Sequence, residues 1–236
     1  MDGLMLERVK TGIEGLDEIM NGGIPKGQLV LLSGTCGTGK TTICTQYIYN
    51  GLTKFKENGI YLSFEEMPKN IKNNVSQFGI NFEPYEKAGK FSFIKYDPYH
   101  IEEVFEILEN TIRDTKAQRV VIDSVSALGI HVRDKAELRR MIFNLSVILR
   151  KLGCTALLVS EIVPGSTGKI SRYGVEEFVT DSVVVLYYER NEFSFSRAIQ
   201  IWKMGGSDHS KKLHPYKITD KGISVQSADE AFMKKF

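Results

Sequence analysis

Long apolar runs are missing from this chain of 236 residues. No stretch approaches the ~20 apolar residues that a membrane-crossing helix needs, so a bilayer-spanning protein is not expected. Cysteine is scarce. Cys36, Cys44 and Cys154 are odd in number and fall in no metal-like spacing, so they read as reduced thiols rather than a disulfide framework or a zinc site. A secretory leader is missing too: Asp2 and Glu7 stand where such a segment would be basic and then apolar, and a cytoplasmic location is expected. An excess of one charge sign is nearly absent: 31 basic against 29 acidic residues leave a net charge of +2, which makes no electrostatic case for nucleic acid or an anionic membrane. Linkers, internal repeats and low-complexity stretches are also lacking. One domain over residues 1–236 is the expectation.

What is present is a rhythm. Leu29–Ser33 reads as a buried strand and is followed by a helix from Lys40 to about Phe55. Ile60–Phe64 is a second strand, with a short helix from Pro68 to Phe78 that starts on its proline. Phe91–Ile94 and Arg119–Asp123 read as further strands around an amphipathic helix near Ile101–Thr115. Leu138, Met141, Ile142, Leu145, Ile148, Leu149 and Leu152 then recur every three or four residues, stopped by Gly153. Thr155–Ser160 is a fifth strand. Strands and helices in this order predict a mainly parallel twisted sheet flanked by helices. After Thr180 the texture turns β-rich: Asp181–Tyr188, a polar turn Glu189–Ser196, then Ala198–Lys203, His214–Ile218 and Ile223–Val225. These read as a C-terminal antiparallel extension on one edge.

The first strand runs into Gly34-Thr35-Cys36-Gly37-Thr38-Gly39-Lys40-Thr41, which matches G-x-x-x-x-G-K-[ST] in a strand-to-helix setting. Glycines there let successive backbone N–H groups cradle phosphate oxygens at the positive end of the following helix. Lys40 is placed to reach the β- and γ-phosphates, and the Thr41 hydroxyl to ligate Mg²⁺. Val120-Val-Ile-Asp123 ends an apolar strand with a carboxylate. Taken alone, Asp123 reads equally well as a helix N-cap or as an acid beside a metal; next to a phosphate loop the metal role is favoured. Glu65-Glu66 follow the second strand at the same sheet edge, where one carboxylate could orient or deprotonate an attacking water.

With these motifs in place, the sequence resembles the KaiC-like branch of the RecA/RadA-type ATPases over nearly its whole length. The resemblance is carried by "TGIEGLDEIMNGGIPKGQ", "SFEEMPKNIKNNVSQFG" and "VVIDSVSAL", and further on by "ISRYGVEEFVTDSVVVL", "KMGGSDH" and "ITDKGISV". It implies a RecA-like P-loop fold that assembles into a ring, a hexamer being favoured, with MgATP between subunits. It also implies that Glu65 and Glu66 are the catalytic acids, acting with Lys40. The implied nucleotide contacts are Gly34 to Thr42, with Thr42 closing the loop, and Asp123. Lys203, Met204, Ser207 and His209 would meet the neighbour's nucleotide, and Thr41 and Asp123 would serve the metal.

Two departures from the family pattern stand out. The family's K-L-R-G supplies a lysine and an arginine to the neighbour's γ-phosphate, whereas this chain has Lys203-Met204-Gly205-Gly206. The autokinase copy of KaiC carries a Ser-Thr pair just before its T-D, and here Glu177 and Phe178 stand there. The resemblance is therefore to the hydrolase-type copy, which implies a slowly hydrolysing ring ATPase of regulatory or signalling type. Two other readings stay open. One is a single-stranded-DNA-binding paralogue of the recombinases, using His131, Arg133, Lys169, Arg172 and a stacking Tyr173. The other is an ATP-sensing scaffold that scarcely turns over.

Overall fold

The sequence rhythm becomes an α/β architecture in the computed structural model, which describes residues 6–97, 101–129, 132, 134–166, 168–190 and 195–231. An N-terminal strap comes first: β1 (Arg8–Val9), α1 (Leu16–Ile19) and β2 (Ile24–Pro25), with the two strands paired antiparallel. The alternation then runs β3 (Leu29–Gly34), α2 (Lys40–Asn50), β4 (Gly59–Ser63), α3 (Pro68–Ser76), α4 (Glu83–Lys87) and β5 (Phe91–Lys95). It continues with α5 (Ile101–Thr115), β6 (Arg119–Asp123), α6 (Val125–Leu128), α7 (Lys135–Lys151), β7 (Thr155–Glu161) and α8 (Glu176–Val179). Four strands close the chain: β8 (Ser182–Arg190), β9 (Phe195–Met204), β10 (Leu213–Thr219) and β11 (Gly222–Val225). Among the described residues, nine strands form one sheet in the order β11-β10-β9-β8-β3-β7-β6-β4-β5.

The structure sharpens three expectations. The helix after the phosphate loop does reach Phe55, but its last five residues, Gly51–Phe55, are π-helical and Lys56 then turns left-handed. Strand β8 is shared between the two parts of the sheet: it pairs in parallel with β3 and antiparallel with β9, where the extension through β10 and β11 begins. The chain crosses over from β7 through α8 and past β3 before laying down β8, and a crossover of that kind returns the chain in the same direction, parallel to β3. The polar turn at Glu189–Ser196 is shorter than its composition suggests. Backbone pairing continues through Glu189↔Ser196 and Arg190↔Phe195, beyond the reach of the apolar core, and residues 191–194 lie outside the described residues.

The core has two sides because β3 is covered on both faces. Val30 and Leu32 join Ile43, Tyr47 and Ile48 of α2 on one side, while Leu29 and Leu31 join Leu108 of α5 and Leu145 of α7 on the other. That period of two explains why the strand reads as a continuous apolar run. In the strap, Gly15 holds φ +74° with its Cα so close to Val225 that a Cβ would sit 1.9 Å from that residue's carbonyl oxygen. Only glycine fits.

A buried charge ties the strap, α2 and the sheet together. Arg119, at the start of β6, is wholly buried, and its Nη1 and Nη2 donate to the carbonyls of Tyr47 and Lys10, each at 2.8 Å. Its Nε donates to Glu57 Oε2 at 2.6 Å, and its guanidinium lies over the rings of Tyr47 and Phe55 at 4.7 and 5.1 Å. A Cβ on Gly51 would come within 2.5 Å of Arg119 Cδ, so the π-helical turn leaves the space that the arginine fills. Arg119→Leu removes the donors and strands both the carbonyls and Glu57. The expected loss is about 3 kcal/mol in urea unfolding, the scale for breaking a buried ion pair from one side. An unfolding curve within 0.5 kcal/mol of the parent would remove this cluster from the account.

Candidate active site

Parallel strands deliver their C-terminal ends to one edge, and the candidate residues gather there. Pairing places Gly34 beside Glu161 on one flank and Leu186 on the other, while Ser63 stands beside Asp123 and Lys95. Between these ends opens a cleft of about 270 Å³, lined among others by Gly39, Lys40, Thr41, Glu65, Glu66 and Asp123. Four of its lining residues are carboxylates, the fourth being Glu161, and one is a lysine.

The phosphate loop is built for backbone exposure. Gly37 and Gly39 adopt φ +76° and +85°, which turns the chain tightly enough for α2 to begin at Lys40. Thr38 is buried and its hydroxyl donates to Thr35 O at 2.8 Å, which braces the loop internally. The extension buttresses the loop from behind: Tyr216 OH donates to Thr38 O at 2.5 Å and Arg197 Nε to Gly37 O at 3.1 Å. Lys40 Nζ donates to Gly34 O at 3.0 Å and Thr35 O at 2.9 Å. Burial lowers its pKa, offset in part by the nearby Glu161 and Asp123. Its ammonium thus rests on loop carbonyls at the place where a phosphate would sit. Thr42 lies in the first turn of α2, where its carbonyl accepts from Thr45 Oγ1 at 3.0 Å. Cys36 is exposed on the loop; Cys44 and Cys154 are buried, and all three are free thiols.

Asp123 is no helix cap. The cap position of α6 belongs to Ser124, which makes no side-chain capping bond, and Asp123 Oδ2 instead accepts from Tyr61 OH at 2.5 Å. Burial pushes the Asp123 carboxyl up to about 6, against the Tyr61 bond and Lys40, which lower it, while Glu65 and Glu66 raise it further. The two glutamates differ. Glu66 is anchored: its N–H donates to Ser63 Oγ at 3.0 Å, its carbonyl accepts from that hydroxyl at 2.8 Å, and its Oε1 accepts from Asn74 Nδ2 at 3.1 Å. Glu65 is exposed, and its carboxylate makes no hydrogen bond among the described residues. Burial and the neighbouring Glu161 raise its pKa, while Lys95, Arg172 and Lys40 pull it back.

The donor set suits a hard cation held with a phosphate. Among the described residues, no group of three or more His, Cys, Asp or Glu gathers to hold a metal unaided. Thr41 and Asp123 present oxygen at the cleft, and Mg²⁺ in nucleotide sites draws on one or two protein oxygens, phosphate and water. A buried Ser124 hydroxyl beside Asp123 has no hydrogen-bond partner in the protein, a further polar group left over at this edge.

Lys203, Met204, Ser207 and His209 are not brought to this cleft. Met204 pairs with Ser182, which pairs with Val30, so the end of β9 lies at the edge of the sheet opposite Gly34. A register shift between Val183 and Val184 leaves Trp202 as an extra residue, and Lys203 Nζ reaches Glu177 O at 3.2 Å and Thr180 O at 2.5 Å. Met204 is buried in the core, which leaves its side chain unable to touch a nucleotide. Ser207 Oγ accepts from Arg8 Nη2 at 2.5 Å, and His209 Nδ1 lies 2.8 Å from Ser210 O.

The "SRYGVEEF" block is a scaffold around one carboxylate. Glu176 is fully buried and accepts from Ser160 Oγ at 3.0 Å, Ser171 Oγ at 2.8 Å and the N–H groups of Val175 at 3.0 Å and Tyr173 at 3.2 Å. Tyr173 OH donates to Ser126 O at 2.8 Å, and its ring packs against the core beside Gly129. That ring is engaged in packing rather than offered for base stacking. His131 and Arg133 lie outside the described residues.

Comparison with known proteins shows the family and the fold. The model of the KaiC ATPase family matches residues 9–230. The chain belongs to the KaiC family of ATPases. It is 41% identical to a UPF0273 protein of Thermotoga maritima over 242 residues, covering 95% of this chain and 98% of that one. It is 37% identical to the circadian clock oscillator protein KaiC of Thermosynechococcus vestitus over 230 residues, which is 93% of this chain but 44% of the clock protein. A solved KaiC-like protein of Pyrococcus horikoshii superposes with TM-score 0.86 at 35% identity, over 93% of this chain and 99% of that one. The fold is the RecA-like one of this family, and its members bind nucleotide. Among the described residues no helix is long and apolar enough to cross a membrane.

Glu161 was missed in the sequence, although an acid ending an apolar strand is the same signal that marked Asp123. For Asp123 itself, the folded pKa of about 6 lies above the usual carboxylate value of 3.8, so the unfolded chain loses its proton first. Folding stability then falls as pH rises between those values, and the penalty is full above them. Asp123→Asn can keep the Tyr61 bond without the charge. It is expected to stabilise the nucleotide-free protein by about 1–2 kcal/mol at pH 7.5, discounted for partial solvent access, and by nothing below pH 3.5. Denaturant curves at the two pH values check the difference.

Proposed function

We propose that this KaiC-family ATPase is a slowly hydrolysing MgATPase that works between subunits of a ring, without the autokinase acceptor pair. The observation that carries the reading is the cleft itself, which gathers the phosphate loop, Lys40, Thr41, Asp123 and an unengaged Glu65 at one sheet edge. In this reading the loop N–H groups and Lys40 hold the phosphates, Lys40 leaving its carbonyl partners to do so. Thr41 and Asp123 hold Mg²⁺, which when bound neutralises charge on the phosphate oxygens. Glu65 accepts the proton of the attacking water, and Glu66, fixed by Ser63 and Asn74, orients it.

The ring part of the proposal rests on position. Lys203 stands at the sheet edge opposite the phosphate loop, so it serves a nucleotide only on another copy. The relatives named for a circadian clock suggest a regulatory role; a cytoplasmic location and a single domain over residues 1–236 belong to the same proposal. The unengaged Glu65 argues against a silent sensor, and the packed Tyr173 argues against a DNA-binding paralogue.

Lys40→Ala should abolish ATP binding in equilibrium dialysis while the circular dichroism stays unchanged. Glu65→Gln with Glu66→Gln should retain binding and lose ~10²-fold or more in phosphate release, the usual contribution of a positioned base. Full turnover by the double variant would place the base elsewhere.

A second expectation concerns the missing arginine. Basal hydrolysis should fall near 10⁻⁴ to 10⁻² s⁻¹, roughly the range of NTPases without an arginine supplied in trans. Gly205 needs no left-handed backbone, and a Cβ there would stand 3.1 Å from Asp181 O, so a small shift admits a side chain. Gly205→Arg should therefore raise turnover, and the gain should vanish on dilution to monomer. Light scattering alongside phosphate release follows both.

A further inference from the structure

Glu161 is the cleft residue for which the roles above leave no task. Pairing between β6 and β7 ends at Ile122↔Leu158, yet β7 stays paired with β3 as far as Glu161↔Gly34. The strand therefore overhangs its neighbour and sets a carboxylate beside the first glycine of the phosphate loop. Its backbone is pinned: Glu161 N–H donates to Ser126 Oγ at 3.0 Å, and the next residue, Ile162, donates to Gly34 O at 3.1 Å. Its carboxylate, by contrast, has no hydrogen bond or ion pair among the described residues, although it lines the cleft and is only partly exposed. A fixed backbone with a free acid is an arrangement that holds charge in place without neutralising it.

We propose that Glu161 is a positioning residue for hydrolysis: its fixed negative charge tunes Glu65 as the proton acceptor and opposes entry of the phosphate tail. The inference rests on the reading of Glu65 as the base. Two physical consequences follow from one charge. A second carboxylate beside Glu65 favours its protonated form, which makes Glu65 a stronger base once ionised. The direction of the Glu65 shift agrees, Glu161 being the largest contributor after burial. The other groups that face Glu65 are Lys95 on β5, Arg172 ahead of α8 and Lys40 on α2, all of which act in the opposite sense. Asp123 on β6 is coupled to Glu65 as well and stays in place in the variant below. The same charge repels an incoming triphosphate, so the empty site carries a built-in resistance to loading.

The variant is Glu161→Gln, which keeps size and hydrogen-bonding capacity. The first measurement uses nucleotide-free protein with ¹³C-labelled glutamate side chains, the Glu65 resonance being assigned by its loss in Glu65→Gln. The Glu65 titration midpoint should move to lower pH in Glu161→Gln. The second is ATP binding without divalent metal. It should be several-fold tighter in the variant at low salt, with the difference fading as salt rises. The third is the pH profile of kcat, whose acid limb should move down with the Glu65 midpoint. An unchanged midpoint together with unchanged metal-free affinity overturns the proposal even if turnover falls. Full activity of Glu65→Gln overturns the underlying assignment of the base. If Glu65→Gln is active and Glu161→Gln inert, the roles are reversed and Glu161 is itself the base.

Discussion

Everything at the site depends on β3 being held in parallel register on both flanks. Its partners are β7 and β8, so the strand that launches the phosphate loop lies inside the sheet, covered above and below. Six backbone pairs with β7 and five with β8 fix where the loop begins. A one-residue slip would turn Leu29 and Leu31 from one core to the other and bury the wrong set. The register that satisfies the core therefore also sets Gly34, Glu161 and Leu186 in one row. Fold and site share a single constraint.

Charge is managed differently in the scaffold and in the cleft. At the edge where β6 starts, Arg119 is buried but fully engaged by Glu57, two carbonyls and two rings. At the start of α8, Glu176 is buried and accepts from two hydroxyls and two backbone N–H groups. Both are structural charges, costly to desolvate and stable only because every lone pair or N–H has a partner. The cleft is the opposite case. Asp123 keeps one phenol, Lys40 leans on loop carbonyls, and Glu65 and Glu161 have no partners among the described residues. Charge left without hydrogen-bond partners in a cleft is what a site for a polyanion and a cation requires.

The sequence disclosed the elements with strong periodicity and the motif with specified residue types. Arg119–Asp123 and Ile101–Thr115 are reproduced to the residue because their apolar patterns have abrupt ends. The phosphate loop was legible because glycine spacing, lysine and hydroxyl are all dictated by the chemistry. Less visible were features set by tertiary pairing. The parallel course of β8 depends on a crossover that composition does not encode, and the need for glycine at position 51, in the π-helical turn, comes from Arg119, which lies 68 positions away in the chain. Short helices such as Glu83–Lys87 and Glu176–Val179 hold too few residues to show a period. Met204 looked like a ligand contact by its place in the motif, and burial in the core overrides that for its side chain.

The bulge at Trp202 has an optical consequence. The chain has a single tryptophan, and 49% of it is exposed. Its indole N–H donates to Tyr187 OH at 2.8 Å. It stands next to Lys203, on the strand end that the proposed ring turns toward a neighbour. Desolvating an indole shifts and brightens its emission, so fluorescence excited at the red edge, where the ten tyrosines do not absorb, reads the environment of one known position. The molecule carries its own unlabelled reporter at the seam where subunits would meet.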